Sequence, residues 1–163
     1  MSWQLRSATA ADLDGIMAIE HAVFPTDAWS RESMLAELSG KHTHYLVAFD
    51  QATPDVFVGY AGLLAPRGVH QADIQTLAVV ETARRRGLAR TLVQTLIGEA
   101  RDRGARELFL EVRVDNPNAQ SLYDSLGFER IAVRKGYYQP DNVDGVVMRL
   151  EIATPVTSSA VGQ

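Results

Sequence analysis

Between residues 88 and 100 the apolar side chains recur with a helical period. Leu88, Leu92, Val93, Leu96, Ile97 and Ala100 fall on one stripe, and Gly104 supplies a stop beyond them. Around this helix the pattern alternates between strand and helix. A short strand covers roughly Gln4 to Ser7, and Thr9-Ala10-Ala11-Asp12 reads as a capping box opening a helix with Leu13, Ile16 and Met17 inward. Ser30 is the expected N-cap of a second helix that stops near Gly40. Tyr45 to Phe49 and Val56 to Leu64 read as strands around the turn Gln51-Ala52-Thr53-Pro54-Asp55, and Asp73 to Val79 as another. Leu108 to Val112 is apolar enough for a strand buried on both faces. Asn116 or Asn118 caps a short helix with Ala119, Leu122, Tyr123 and Leu126 on one side, closed by Gly127. Strands near Phe128 to Tyr138 and Val146 to Ile152 finish the pattern. This order predicts a mixed α/β layer fold in one domain over residues 1–152, followed by a small, polar, aperiodic tail, 153–163, expected to be disordered.

Composition removes several chemistries. The 163 residues include no cysteine, which excludes disulfides, thiolate-bound metal and a Cys nucleophile. The net charge of -4 leaves no basic footprint, so nucleic acid is not an expected partner. No apolar run reaches membrane-spanning length and Met1 to Arg6 lack an apolar core, so no membrane partner and a cytoplasmic protein are expected. His42 and His44 lack a nearby third ligand, and no metal is expected.

The strand ending at Val79 is joined to the long helix by Arg84-Arg85-Arg86-Gly87-Leu88-Ala89, with Arg90 next. The first turn of a helix has unpaired N–H groups and the positive end of the dipole. Small residues at Gly87 and Ala89 let an anionic group approach the main chain. Three arginines at the positive end of a dipole are electrostatically unfavourable, and a bound anion relieves the conflict. A solvated basic turn eased by Gly87 accounts for the same letters. The pattern is neither G-x-G-x-x-G nor a Walker loop.

With these residues in view, the chain resembles the GNAT superfamily of acyl-CoA N-acyltransferases. The resemblance rests on Arg84-x-x-Gly87-x-Ala89, on Leu110-Glu111-Val112-Arg113-x-x-Asn116, and on Ala119 followed by Leu122-Tyr123-x-x-x-Gly127-Phe128. A narrower likeness is to the RimI-like branch, the ribosomal-protein alanine N-acetyltransferases. It is carried by Phe24-Pro25 with Trp29-Ser30, Tyr137-Tyr138, and Asp144 followed by Met148. Ala89 stands where many members have Gly, Gly145 where an Ala is usual, and Thr26-Asp27-Ala28 lengthens the spacing from Phe-Pro to Trp. The resemblance implies a mixed, mostly antiparallel central sheet of about seven strands with helices on both faces. It implies acetyl-CoA as cofactor and a monomer or weak dimer. The implied acceptor is a protein N-terminus, with the N-terminal alanine of small-subunit ribosomal protein eighteen as type substrate. Lysine side chains or a small amine are the alternative acceptors, and a non-catalytic CoA-binding module the alternative class.

Roles follow from the resemblance residue by residue. Glu111, in an otherwise apolar strand, is the candidate general base and borders the acceptor; pairing with Arg113 on the same face is the plainer reading. Tyr123 is the candidate general acid toward the CoA sulfur, although its stripe is also that of a core aromatic. The Val79 N–H would hold the oxyanion, with Leu77 and Ala78 facing the cofactor beside Arg84 to Arg90 and Tyr123. Asn116 either contacts the cofactor or caps its helix. Phe24, Pro25, Trp29, Tyr137 and Tyr138 would line the acceptor groove, with Glu32 and Asp144 as weaker candidates for gripping a substrate cation.

Overall fold

Seven strands share one sheet, and the computed structural model describes residues 3–153 of the chain. The 153–163 tail therefore lies outside the described residues apart from Ala153. In chain order the elements are β1 (Trp3–Ser7), α1 (Leu13–Val23), α2 (Arg31–Leu38), β2 (Thr43–Asp50), β3 (Thr53–Leu64), β4 (Gln71–Val79), α3 (Leu88–Asp102), β5 (Glu107–Arg113), α4 (Pro117–Ser125), β6 (Glu129–Tyr138) and β7 (Val143–Glu151). The strands lie in the order β1-β2-β3-β4-β5-β7-β6, and only β4 and β5 run parallel.

Local chemistry explains the element ends. Thr9 and Asp12 form the expected capping box, which opens a short 3₁₀ turn running into α1. The Ser30 side chain accepts from Ser33 N–H and starts α2. The turn between β2 and β3 is tighter than its sequence suggests. Asp50 Oδ1 takes the Ala52 N–H at 2.9 Å, and pairing resumes at Thr53.

Two cores flank the sheet because successive strand residues point to opposite faces. Along β2, Leu46 and Ala48 join the core under α3 and α4, whereas Tyr45 and Val47 join the core under α1 and α2. Helices therefore cover both faces, as expected. The reading of β5 as buried on both faces is corrected. Leu108, Leu110 and Val112 are buried against α3 and α4, while Glu107, Phe109, Glu111 and Arg113 alternate with them and are half-buried. That second face carries the candidate chemistry.

Candidate active site

The site begins where β4 and β5 part. They pair only at Gln71 with Glu107, Ala72 with Leu108, and Asp73 with Phe109, and then diverge. Gln75 has no opposite residue on β3, because Leu63 pairs with Ile74 and Gly62 with Thr76. This bulge re-aims the strand. Before it, Ala72 and Ile74 face α3; after it, Leu77 and Val79 do, and Ala78 turns to the α1 face. The Tyr45 hydroxyl donates to Gln75 Oε1 at 2.8 Å and fixes the irregularity. Val80 N–H donates to Val58 O at 2.9 Å. Antiparallel alternation then turns the Val79 N–H away from β3, toward the gap left by β5. Ala78, expected to face the cofactor, has its side chain buried beside Tyr60 and Ile16 in the other core.

The arginine turn is built for an anion. Arg85 has φ 65° and Gly87 φ 79°, so the main chain curls through two left-handed positions before α3. No side chain caps α3, its first turn contains no acidic residue, and the Gly87 carbonyl accepts from Thr91 N–H at 3.0 Å. The N–H groups of Leu88, Ala89 and Arg90 precede that bond and are left for an external acceptor. A Cβ built on Gly87 meets nothing within 4 Å, so the space beside Gly87 at the start of α3 is open. A diphosphate fits this cradle by shape and by charge. Arg84 and Arg90 also bind within the protein. Arg84 Nε donates to Val79 O at 2.9 Å, and Arg90 Nη2 donates to Ser125 Oγ at 2.7 Å, tying α3 to α4. Arg85 and Arg86 are exposed beside the cradle.

Glu111 and Tyr123 lie on opposite faces of the sheet. Tyr123 belongs to the α3–α4 core and meets Phe128 edge-on at 5.7 Å. Burial pushes its hydroxyl well above the usual phenol range, so it stays protonated. Glu111 Oε1 accepts from Arg134 Nη1 at 2.9 Å, and its buried Oε2 has no hydrogen-bond partner among the described residues. The pairing of Glu111 with Arg113 is not formed. Arg113 donates instead to Asp115 at 2.9 Å, Asp27 at 3.1 Å and Asp141 at 3.3 Å. Tyr137 and Tyr138 stack edge-on at 5.0 Å, with Arg134 over Tyr137 at 4.4 Å and Arg113 over Tyr138 at 5.5 Å. Burial, and then the Glu111 carboxylate, raise both tyrosine hydroxyls. Glu111 thus sits inside an aromatic and cationic frame drawn from β5 and β6.

Comparison with known proteins decides the family. The sequence matches the Acetyltransferase (GNAT) family over residues 13–128. The chain belongs to the GNAT acetyltransferase family. It is an acetyl-CoA-dependent N-acetyltransferase. It is 33% identical over 150 residues to the N-alpha-acetyltransferase RimI of Mycobacterium tuberculosis, covering 90% of this chain and 91% of that one. It is 36% identical over 146 residues to the uncharacterized protein ML0378 of Mycobacterium leprae, covering 88% of this chain but only 39% of that longer protein. The crystal structure of the ribosomal-protein-S18-alanine N-acetyltransferase from Escherichia coli superposes with a TM-score of 0.83 at 27% identity, covering 95% and 97% of the two chains.

Other sequence candidates in this GNAT chain divide by what holds them. Asn116 is the N-cap of α4, accepting the Ala119 N–H at 3.2 Å, so of its two readings the structure shows the cap. Asp144 Oδ1 accepts the Gly136 N–H at 2.8 Å and braces β6, and Glu32 lies exposed on α2. Phe24 and Trp29 pack against the α1–α2 core and Pro25 is exposed. The inserted segment is anchored at once: Thr26 Oγ1 donates to Asp141 Oδ2 at 2.6 Å and Asp27 takes Arg113. A Cβ on Gly145 would press on Tyr137 at 3.2 Å and Tyr138 at 3.3 Å, which accounts for a glycine where alanine is usual.

Glu20 escaped the sequence reading. It stands at helical spacing with Leu13, Ile16 and Met17, a carboxylate on an apolar stripe, and that was the available signal. Burial lifts its carboxyl from an ordinary 4.5 to about 7; the Trp29 N–H pulls it down and the charge of Asp27 adds to the rise. A group that holds its proton more tightly when folded stabilises the fold most below its unfolded value. Stability is therefore expected to fall as pH rises from about 4.5 to about 7 and to level off above. Urea denaturation across that window checks it, and Glu20→Gln is expected to flatten the slope.

Proposed function

We propose that the enzyme acetylates the N-terminal α-amine of a protein in the cytoplasm, with the N-terminal alanine of small-subunit ribosomal protein eighteen as its type substrate. The observation that carries this reading is Glu111 on β5, held at one oxygen by Arg134 with its buried Oε2 unpaired among the described residues and its charge acting on Tyr137 and Tyr138, on a sheet whose β4 and β5 part ahead of the uncapped start of α3. The name of the Escherichia coli enzyme, which has the same fold, supports the acceptor class.

When bound, acetyl-CoA supplies an acetyl group already activated as a thioester. The N–H groups of Leu88 to Arg90, with Arg85 and Arg86, would hold its diphosphate. The acceptor lies between the Phe24-Pro25-Trp29 segment and Tyr137-Tyr138. A free α-amine has a pKa near ~7.7–8.0, so a sizeable neutral fraction exists at physiological pH, and the base that takes the proton released on attack need be only moderately strong. Glu111 Oε2, the carboxylate oxygen not engaged by Arg134, takes the proton of the attacking amine. The Val79 N–H faces the oxygen on which negative charge develops. Tyr123, kept protonated by burial, would donate to the CoA sulfur as negative charge develops there; because a phenol is a weaker acid than a thiol, the phenolate would then recover the proton that Glu111 took from the amine.

The test is mass spectrometry after incubation with acetyl-CoA and peptides that differ in their first residue, alongside N-blocked peptides containing lysine. Acetylation at the α-amine of alanine-starting peptides is the expected result. Modification of the blocked lysine peptides alone rejects the N-terminal reading. Saturable CoA binding without any turnover assigns the protein to the non-catalytic class.

A further inference from the structure

Glu20 is 1% exposed, and a carboxylate so placed must be held by donors. Three elements supply them in series. The Trp29 N–H, on the segment between α1 and α2, donates to Oε2 at 2.8 Å. The Tyr60 hydroxyl, from β3, donates to Oε1. Thr76 Oγ1, on β4 next to the Gln75 bulge, lies 3.2 Å from the Tyr60 hydroxyl, and with Glu20 ionised it donates to it, because the Tyr60 proton is then committed to Glu20. In that state every proton of the chain points toward Glu20, and a carboxylate, which only accepts, ends such a chain. Its two extremities belong to different halves of the site. Trp29 borders the acceptor groove, and Thr76 adjoins Leu77 to Val79 at the gap.

We infer that Glu20 is a positioning residue for acceptor binding, fixing the Trp29 segment against β3 and β4 and so setting the width of the acceptor groove. The inference rests on the reading above that Trp29 lies against the amine acceptor. The segment is pinned at three points, Thr26 to Asp141, Asp27 to Arg113 and Trp29 to Glu20, and only the last holds its Trp29 end. Releasing that pin frees the groove wall at Trp29. The diphosphate cradle at Gly87 has its own backbone bonds and does not depend on it.

The experiment measures KM for the acceptor, KM for acetyl-CoA and kcat in wild type, Glu20→Met, Glu20→Gln and Tyr60→Phe. The acceptor is whichever amine-bearing peptide the wild type turns over best, so the class of acceptor does not bear on the result. Met keeps length and volume but accepts nothing. Gln keeps a carbonyl oxygen for the Trp29 N–H and offers its NH₂ to Tyr60, whose hydroxyl then donates to Thr76. Glu20→Met is expected to raise the acceptor KM about tenfold or more, with acetyl-CoA KM and kcat per CoA-binding site within about twofold. Glu20→Gln is expected to stay within about threefold of wild type, and Tyr60→Phe to raise the acceptor KM severalfold.

A purely structural role would reduce the number of CoA-binding sites and leave both KM values alone. An unchanged acceptor KM in Glu20→Met, a parallel rise in both KM values, or no recovery in Glu20→Gln overturns the inference. If Glu20→Met does not fold, Tyr60→Phe decides, and a wild-type acceptor KM there overturns it. A wild type that turns over no amine at all overturns the functional reading first, and this inference with it.

Discussion

Tyr123→Phe is expected to lower kcat by about 10²- to 10⁴-fold while acetyl-CoA binds almost as before. The variant keeps the ring, its edge-on contact with Phe128 and its place in the α3–α4 core. The hydroxyl exchanges no hydrogen bond with the described residues, so its removal strands no buried partner. What disappears is a buried, protonated hydroxyl, the proposed donor to the CoA sulfur. Glu111→Gln is expected to act alike and by a similar factor, because Gln retains an acceptor for Arg134 but no longer takes a proton. Steady-state kinetics checks both, with calorimetric titration of CoA as the control for binding. Because the two groups act in one transfer, the double variant is expected to lose far less than the product of the single losses. Wild-type turnover in both single variants removes the acid–base assignment and leaves the family membership untouched.

Short-range signals in the chain were readable. The Thr9–Asp12 capping box, the Ser30 cap and the stripe from Leu88 to Ala100 each depend on residues within a turn or two of one another, and each stands where the pattern places it. Layer order is another matter. Nothing local says that β7 inserts between β5 and β6, or that β4 and β5 pair for only three residues. The Gln75 bulge is invisible for the same reason: it is a mismatch between two strands and not a feature of either. The run Leu-Phe-Leu-Glu-Val misled because apolar letters alone do not separate a strand covered on both sides from one with a half-open face.

The site divides along the same line. Glu111, Tyr123 and the arginine turn were found by their spacing and the family likeness. Their partners were not, since those come from distant parts of the chain. Arg134 reaches Glu111 across β7, whereas Arg113, two residues from Glu111, is drawn off by Asp27, Asp115 and Asp141. Competition among acids decides which arginine serves which carboxylate, and sequence distance does not order that competition.

Gly87→Val is expected to weaken CoA binding by about 10²-fold or more, a loss of roughly 3 kcal/mol. Two effects act together. At φ 79° a β-branched residue is strained by about 1–3 kcal/mol, and relief of that strain moves the N–H groups at the start of α3. The added methyls also enter the open space beside Gly87, where the diphosphate would sit. Because a Cβ there meets no protein atom within 4 Å, the core is not disturbed, and the thermal midpoint is expected to fall only by the strain. Gly87→Ala separates the two effects: it keeps most of the strain but little of the obstruction, and an intermediate affinity is expected. Calorimetry reads both variants. The signature is opposite to that of Tyr123→Phe, with affinity lost and, at saturating acetyl-CoA, kcat largely kept. Near-wild-type affinity in Gly87→Val would mean that the anion is held elsewhere, and the donor geometry drawn from Val79, Glu111 and Tyr123 would have no fixed thioester to act on.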